Sequence, residues 1–167
     1  MATVDFRKAL RLYGAWTGQA DGKKITYQCG EGEAASHGLL LLGRSVDDGV
    51  IECSVSLPEP SDNSGAFVVF RASGQESYYA AGIGGWDGAY TLFEGHHLSW
   101  TRLGSAGAIS TLEAGRVYDL KLALDGQRLQ LIVDDVKVLD YSRLSATGGT
   151  GIGLLAVRGC PSAEFGP

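Results

Sequence analysis

Residues 118–141 alternate in period two. Leu120, Leu122 and Leu124 interleave with Asp119, Lys121 and Ala123; after Asp125-Gly126, Leu129, Leu131 and Val133 interleave with Arg128, Gln130 and Ile132. A second turn at Asp134-Asp135 leads into Val136, Val138 and Asp140. Side chains of an extended chain point alternately to opposite faces, so this spacing around short Asp/Gly turns predicts a three-stranded antiparallel meander. Its leucine edge must meet a second layer, and its polar edge must face water or a ligand.

Most of the chain has the same character. Strands are predicted over residues 23–29, 39–42, 50–57, 66–71, 78–83, 89–94, 97–103, 151–157 and 160–165, with a further short one at 109–112. Residues 6–13 fit either a strand or a short amphipathic helix. Gly14-Ala15-Trp16 and Ala20-Asp21-Gly22 read as turns, and the Pro58-to-Gly65 segment as a loop. The total is about twelve to fifteen short strands, with no helix longer than two turns. No repeat of fixed period is visible, which argues against a propeller or solenoid. The expectation is an all-β, two-sheet antiparallel sandwich in which residues 1–167 form one domain, either whole or the first part of a longer protein. Leu120, Leu122, Leu129, Leu131, Val133, Ile152, Leu154 and Phe70 are expected to face between the sheets.

Composition adds little except through glycine, at 25 residues against 4 prolines, which suits many tight turns. The net charge of −5 comes without any Lys/Arg run, so a phosphate-tracking surface, and with it nucleic-acid binding, is excluded. No apolar run reaches the length of a membrane span, and residues 1–16 lack the apolar core of a secretory signal. Cys29, Cys53 and Cys160 have neither zinc-ligand spacing nor an even count, and Cys53, in phase with Ile51 and Val55, reads as a buried thiol. These features lead to a cytoplasmic expectation with reduced thiols.

The order of several short motifs resembles a known superfamily. Val69-Phe70-Arg71 follows an Asn63-Ser64-Gly65 loop and precedes Tyr78-Tyr79; a strand bearing Trp100, the Tyr118-to-Leu122 strand, the Val133-Asp134-Asp135 hairpin, Gly151-Ile152-Gly153-Leu154 and Ala163-Glu164-Phe165 complete the series. Over roughly residues 14–165 the chain is similar to the concanavalin A-like lectin/glucanase superfamily, nearest to its laminin-G-like and DUF1080 (3-keto-disaccharide hydrolase-like) branches. The resemblance implies a jelly roll with a curved sheet whose concave face commonly binds sugars. Two family features are absent. Tyr78-Tyr79-Ala80-Ala81 stands where the DUF1080 branch has a Tyr-Glu-x-Gln-like run, and the acidic Glu-x-Asp-x-x-Glu strand of the glucanases is missing.

Hydrolysis of a glycosidic bond needs two carboxyl groups facing each other across it. Glu76, Asp87 and Glu94 are the candidate acids, but no local pattern fixes two of them together, so no catalytic residue is assigned. His96 and His97 are adjacent on an extended chain and point to opposite faces, which does not suit one shared ion. Asp47-Asp48 and Asp134-Asp135 read as turns rather than calcium ligands. No metal or cofactor is therefore expected. The aromatic set is more informative: Tyr78, Tyr79, Trp86, Tyr90, Phe93 and Trp100 accompany Arg71 within a short stretch. A sugar offers apolar C–H faces and a hydroxyl rim, which suit an aromatic platform beside polar forks. Strand parity from Phe70 puts Phe67, Val69 and Arg71 on the opposite face, and the resemblance adds Tyr79 to that face. The candidate ligand site is Arg71, Tyr79, Trp86, Tyr90 and His97. The functional expectation is a non-catalytic carbohydrate-binding or lectin-like module taking a carbohydrate or other small polar ligand. An intracellular protein-interaction or sensor module, with a protein partner, and a glycosidase-like hydrolase are the alternatives.

Overall fold

The computed structural model describes residues 9–13, 15–18, 25–28, 37–58, 60, 64–86, 88–97, 99–145, 149–157 and 162–166. Fourteen strands are present among them: β1 (Leu10–Tyr13), β2 (Ala15–Gly18), β3 (Ile25–Gln28), β4 (Gly38–Ser45), β5 (Gly49–Ser56), β6 (Gly65–Ala72), β7 (Tyr78–Gly84), β8 (Gly88–His96), β9 (Ser99–Ala108), β10 (Val117–Asp125), β11 (Arg128–Val133), β12 (Val136–Tyr141), β13 (Gly151–Val157) and β14 (Ser162–Gly166). They build two seven-stranded antiparallel sheets, ordered β1-β4-β13-β6-β7-β8-β9 and β12-β11-β10-β5-β14-β3-β2. The expected all-β sandwich is what the chain forms. Among the described residues no helix is long and apolar enough to cross a membrane.

The meander falls in the second sheet in the register its leucines require. Leu120 pairs with Val133, Leu122 with Leu131 and Leu124 with Leu129, while β5 places Cys53 and Ile51 beside Leu120 and Leu122. A one-residue slip would turn this whole set to water, so burial of one face specifies the pairing. Asp134 and Asp135 take φ of 48° and 64°, the φ signs of the two-residue turn that suits the twist of a hairpin. All eight residues expected between the sheets lie in the inter-sheet core, with Tyr27, Val55, Tyr118, Leu40 and Leu92.

Three local readings differ from the structure. Ala15-Trp16, read as part of a turn, open β2, where Trp16 is buried against Tyr27. Residues 109–111 form a single 3-10 turn instead of a strand. His97 lies in the β8–β9 turn at φ 52°, and β9 begins at Ser99.

The first sheet departs from the usual one-wet-face pattern. Every residue of β6 and β7 is buried. Its outer face carries a second apolar cluster of Leu39, Phe67, Val69, Tyr78, Ala80, Phe93 and Leu155, with Trp86, Trp100 and Leu41 partly buried against it.

Candidate functional site

The outer cluster is built from aromatic rings laid on glycine. Tyr78 lies over Gly95, its cross-strand partner; a methyl group on Gly95 would come within 2.3 Å of the ring. The Trp100 indole Nε1–H donates to the Tyr78 hydroxyl at 2.7 Å, which locks both rings. Phe93 stands edge-on to Phe67 at 4.9 Å and to Trp86 at 5.0 Å, and Trp86 and Trp100 are 6.5 Å apart. His37 packs edge-on to Trp100 at 5.4 Å. Phe67, Tyr78 and Phe93 are sealed, whereas Trp86 and Trp100 stay part-exposed. The two indoles, their planes 71° apart, therefore form an angled platform on a closed aromatic floor, each offering one flat face.

Trp86 is held from below by its turn. Gly84, Gly85 and Trp86 have φ of 79°, 83° and 48°, a left-handed run that glycine permits at the first two positions. The Gly85 N–H donates to the Ser64 carbonyl at 2.8 Å, and the Gly85 carbonyl accepts from the Gly88 N–H and from the buried Thr91 hydroxyl. Arg102 lies two residues beyond Trp100 on β9, cross-strand from Phe93, and its guanidinium donates to the Trp86 carbonyl at 3.2 Å.

The five candidate residues do not converge. Trp86 lies on the platform. His97 is exposed at the β8–β9 turn, where its backbone N–H donates to the Gln75 carbonyl. Arg71 was expected on the face of Phe67 and Val69, but a bulge breaks the alternation there. Gly153 pairs with Val69 and Gly151 with Ala72, so Phe70 and Arg71 share one opposing residue, and Arg71 takes φ 49°. Its buried guanidinium donates to the Asp48 carboxylate at 3.2 Å and to the Gly126 carbonyl, and Gly126 N–H donates to Asp48 in turn. Arg71 thus ties β6 to the β4–β5 loop and the β10–β11 turn. Tyr79 pairs with Phe70, stacks on it at 5.7 Å between the sheets, and shares a 2.7 Å hydrogen bond with the Ser145 hydroxyl. Tyr90 packs part-buried against the inter-sheet core near Tyr118, and burial, followed by Tyr118 and Asp134, pushes its phenol up. Arg71, Tyr79 and Tyr90 are therefore off the outer face.

Among the candidate acids, Asp87 lies outside the described residues. Glu94 has the His96 imidazole 3.9 Å from its carboxylate, whereas the contact of Glu76 with His96 Nδ1, at 2.9 Å, is made by its backbone carbonyl. Asp134 accepts from the Asp119 N–H and from Arg116, each at 2.9 Å, which accounts for it as a turn staple. On the second sheet the polar edge of the meander forms an open groove of about 330 Å³ lined by Glu52, Ser54, Asp119, Lys121 and Ile132 among others. Cys53, expected to be buried, is half-buried and also lines this groove; it is free, and desolvation raises its thiol to about 12, with Asp119 adding to the effect. Cys29 and Cys160 lie outside the described residues.

No family model and no curated relative matches the chain. Solved structures do. The carbohydrate-binding module CBM66 from Bacillus subtilis superposes with a TM-score of 0.75 at 16% identity, covering 95% of this chain and 92% of its own. The metal-free carbohydrate recognition domain of Emp46p gives 0.63 at 11%, covering 96% and 85%. LamA from Zobellia galactanivorans, solved with laminaritriose and laminaritetraose, gives 0.57 at 14%, covering 87% and 76%. The chain has the concanavalin A-like, galectin-like β-sandwich fold.

Proposed function

We propose that this protein is a non-catalytic, lectin-like carbohydrate-binding module whose contact surface is the Trp86–Trp100 platform. The observation that carries the reading is two part-exposed indoles standing on a sealed aromatic floor, on the outer face of a sheet whose central strands β6 and β7 are wholly buried. Stacking needs a rigid, flat, apolar surface. Both indoles are fixed here before any ligand arrives, Trp100 through Tyr78 and Trp86 through its pinned turn. A carbohydrate-binding module and a carbohydrate recognition domain among the structural neighbours support the same reading.

The test is a glycan array probed with the wild type, Trp86→Ala and Trp100→Ala, with melting temperatures recorded in parallel. Each indole should contribute about 0.5–1.5 kcal/mol beyond area burial, or roughly two- to twelvefold in Kd. Loss of glycan binding in variants that still melt cooperatively supports the platform. Glycan binding unchanged in both variants places the site elsewhere, and no glycan bound by the wild type overturns the reading.

A further inference from the structure

The described cations of this acidic chain are mostly spoken for. Arg71 pairs with Asp48, Arg116 with Glu113 and Asp134, Lys121 with Glu52, and both Arg128 and Lys137 with Asp140. Among the described residues Arg102 and Arg143 have no carboxylate partner. Arg143 lies beyond β12, away from the outer aromatic cluster. Arg102 lies on the same face of β9 as Trp100, and its one hydrogen bond goes to the backbone of Trp86. That bond spends one N–H of the fork and holds the guanidinium against the Trp86 backbone, on the face of β9 that carries Trp100. The remaining donors are exposed, in a planar geometry that matches a carboxylate or sulfate.

From this we infer that the platform selects anionic saccharides, those carrying a carboxylate or a sulfate ester beside an apolar sugar face. The inference rests on the carbohydrate reading above and goes beyond it by assigning Arg102 as the specificity-determining residue. The sugar ring stacks on one indole with the other at its edge, and the acid group lies in the Arg102 fork. A neutral sugar keeps the stacking and loses the charge-assisted pair. On a protein of net charge −5, an acidic ligand gains most beside a cation that no carboxylate neutralises, as at Arg102 among the described residues.

The experiment uses matched probes. Oligogalacturonate is compared with its carboxyl-reduced form, and a sulfated galactan oligosaccharide with its desulfated form, each titrated against the wild type, Arg102→Gln, Arg102→Lys and Trp100→Ala. At least one acidic member should bind tenfold or more tighter than its neutral partner, which is the scale of one charge-assisted hydrogen bond. That preference should shrink as salt rises from about 0.05 M to about 0.5 M. Arg102→Gln should abolish the preference by weakening the acidic members far more than the neutral ones, Arg102→Lys should restore part of it, and Trp100→Ala should weaken both members alike. Equal binding of acidic and neutral members, or a preference that survives Arg102→Gln, overturns this inference and leaves the carbohydrate reading standing. No binding of any of the four probes, with none on the glycan array, overturns both.

Discussion

Arg71 offers a quantitative test of how the sandwich end is closed. The guanidinium is 7% exposed and donates to the Asp48 carboxylate and the Gly126 carbonyl, joining β6 to two turns of the opposite side. Arg71→Ala removes these bonds together with a longer one to the Asp47 carbonyl. Hydrogen bonds involving a charged group contribute about 1.5–3 kcal/mol each. The Asp48 side chain is 56% exposed and keeps the Gly126 N–H, so water recovers part of its loss. Gly126 lies on an exposed turn, so its carbonyl is partly rehydrated too, which leaves a net cost of about 2–4 kcal/mol. For a domain of this size about 1 kcal/mol corresponds to 2–4 °C, so the melting temperature should fall by about 5–15 °C. Arg71→Met should behave like alanine, because it fills volume without donors. Arg71→Gly should be about 1 kcal/mol more stable than Arg71→Ala, since only glycine takes φ 49° without strain. Urea unfolding followed by tryptophan fluorescence measures all three. An alanine variant melting within about 2 °C of wild type would refute the clamp.

Other expectations follow from the same geometry. Gly95→Ala drives a methyl group into the Tyr78 ring and should cost about 1–3 kcal/mol as overpacking; an unchanged urea midpoint would mean that the ring swings clear. Native Cys53, half-buried and with its thiol pKa raised, should react with a disulfide reagent at pH 8 more slowly than after unfolding, and equal rates would contradict the raised pKa. Because its folded pKa lies near 12 against 9.0 when unfolded, the folded thiol keeps its proton while the unfolded one ionises. Stability contributed by Cys53 is thus complete below pH 9 and lost between pH 9 and 12 in a series of melts. Asp140, gripped by Arg128, Gln130 and Lys137, is held below the usual carboxylate range, so its contribution is present above about pH 4 and lost as pH falls further. Asp140→Asn should lower the melting temperature slightly in low salt and not at about 1 M, and equal shifts in both would contradict an exposed ionic clamp.

The meander was legible over β10 and β11, where Leu120, Leu122, Leu124, Leu129, Leu131 and Val133 supply the inward face; in β12 a bulge breaks the alternation and sets Leu139 and Tyr141 opposite Leu131 and Leu129. The both-face burial of β6 and β7 was also written in the chain, since Gly65–Ala72 and Tyr78–Gly84 are continuous apolar runs instead of alternating ones. Parity failed where the backbone departs from the strand. One extra residue opposite Ile152 turns Arg71 away from Phe67 and Val69, and no residue type near it announces a bulge. Tyr78 and Tyr79 are interchangeable by composition; cross-strand pairing with Gly95 and Phe70 decides which goes out and which goes in. Arg102 was overlooked although the Trp100-Thr101-Arg102 spacing puts the two side chains on one face. What the spacing does not give is that this face also carries Trp86, a contact made across two hairpins.

The central claim turns on where ligand touches the protein, and the chain supplies its own control. Trp16 is buried between the sheets, while Trp86 and Trp100 stand part-exposed on the outer face. Nuclear magnetic resonance of the three indole N–H groups, during titration with a glycan bound on the array, separates them directly. The account predicts saturable shifts of the Trp86 and Trp100 signals with Trp16 unmoved. Shifts confined to Ser54, Asp119 and Lys121 in the groove of the second sheet, with all three indoles silent, would contradict it.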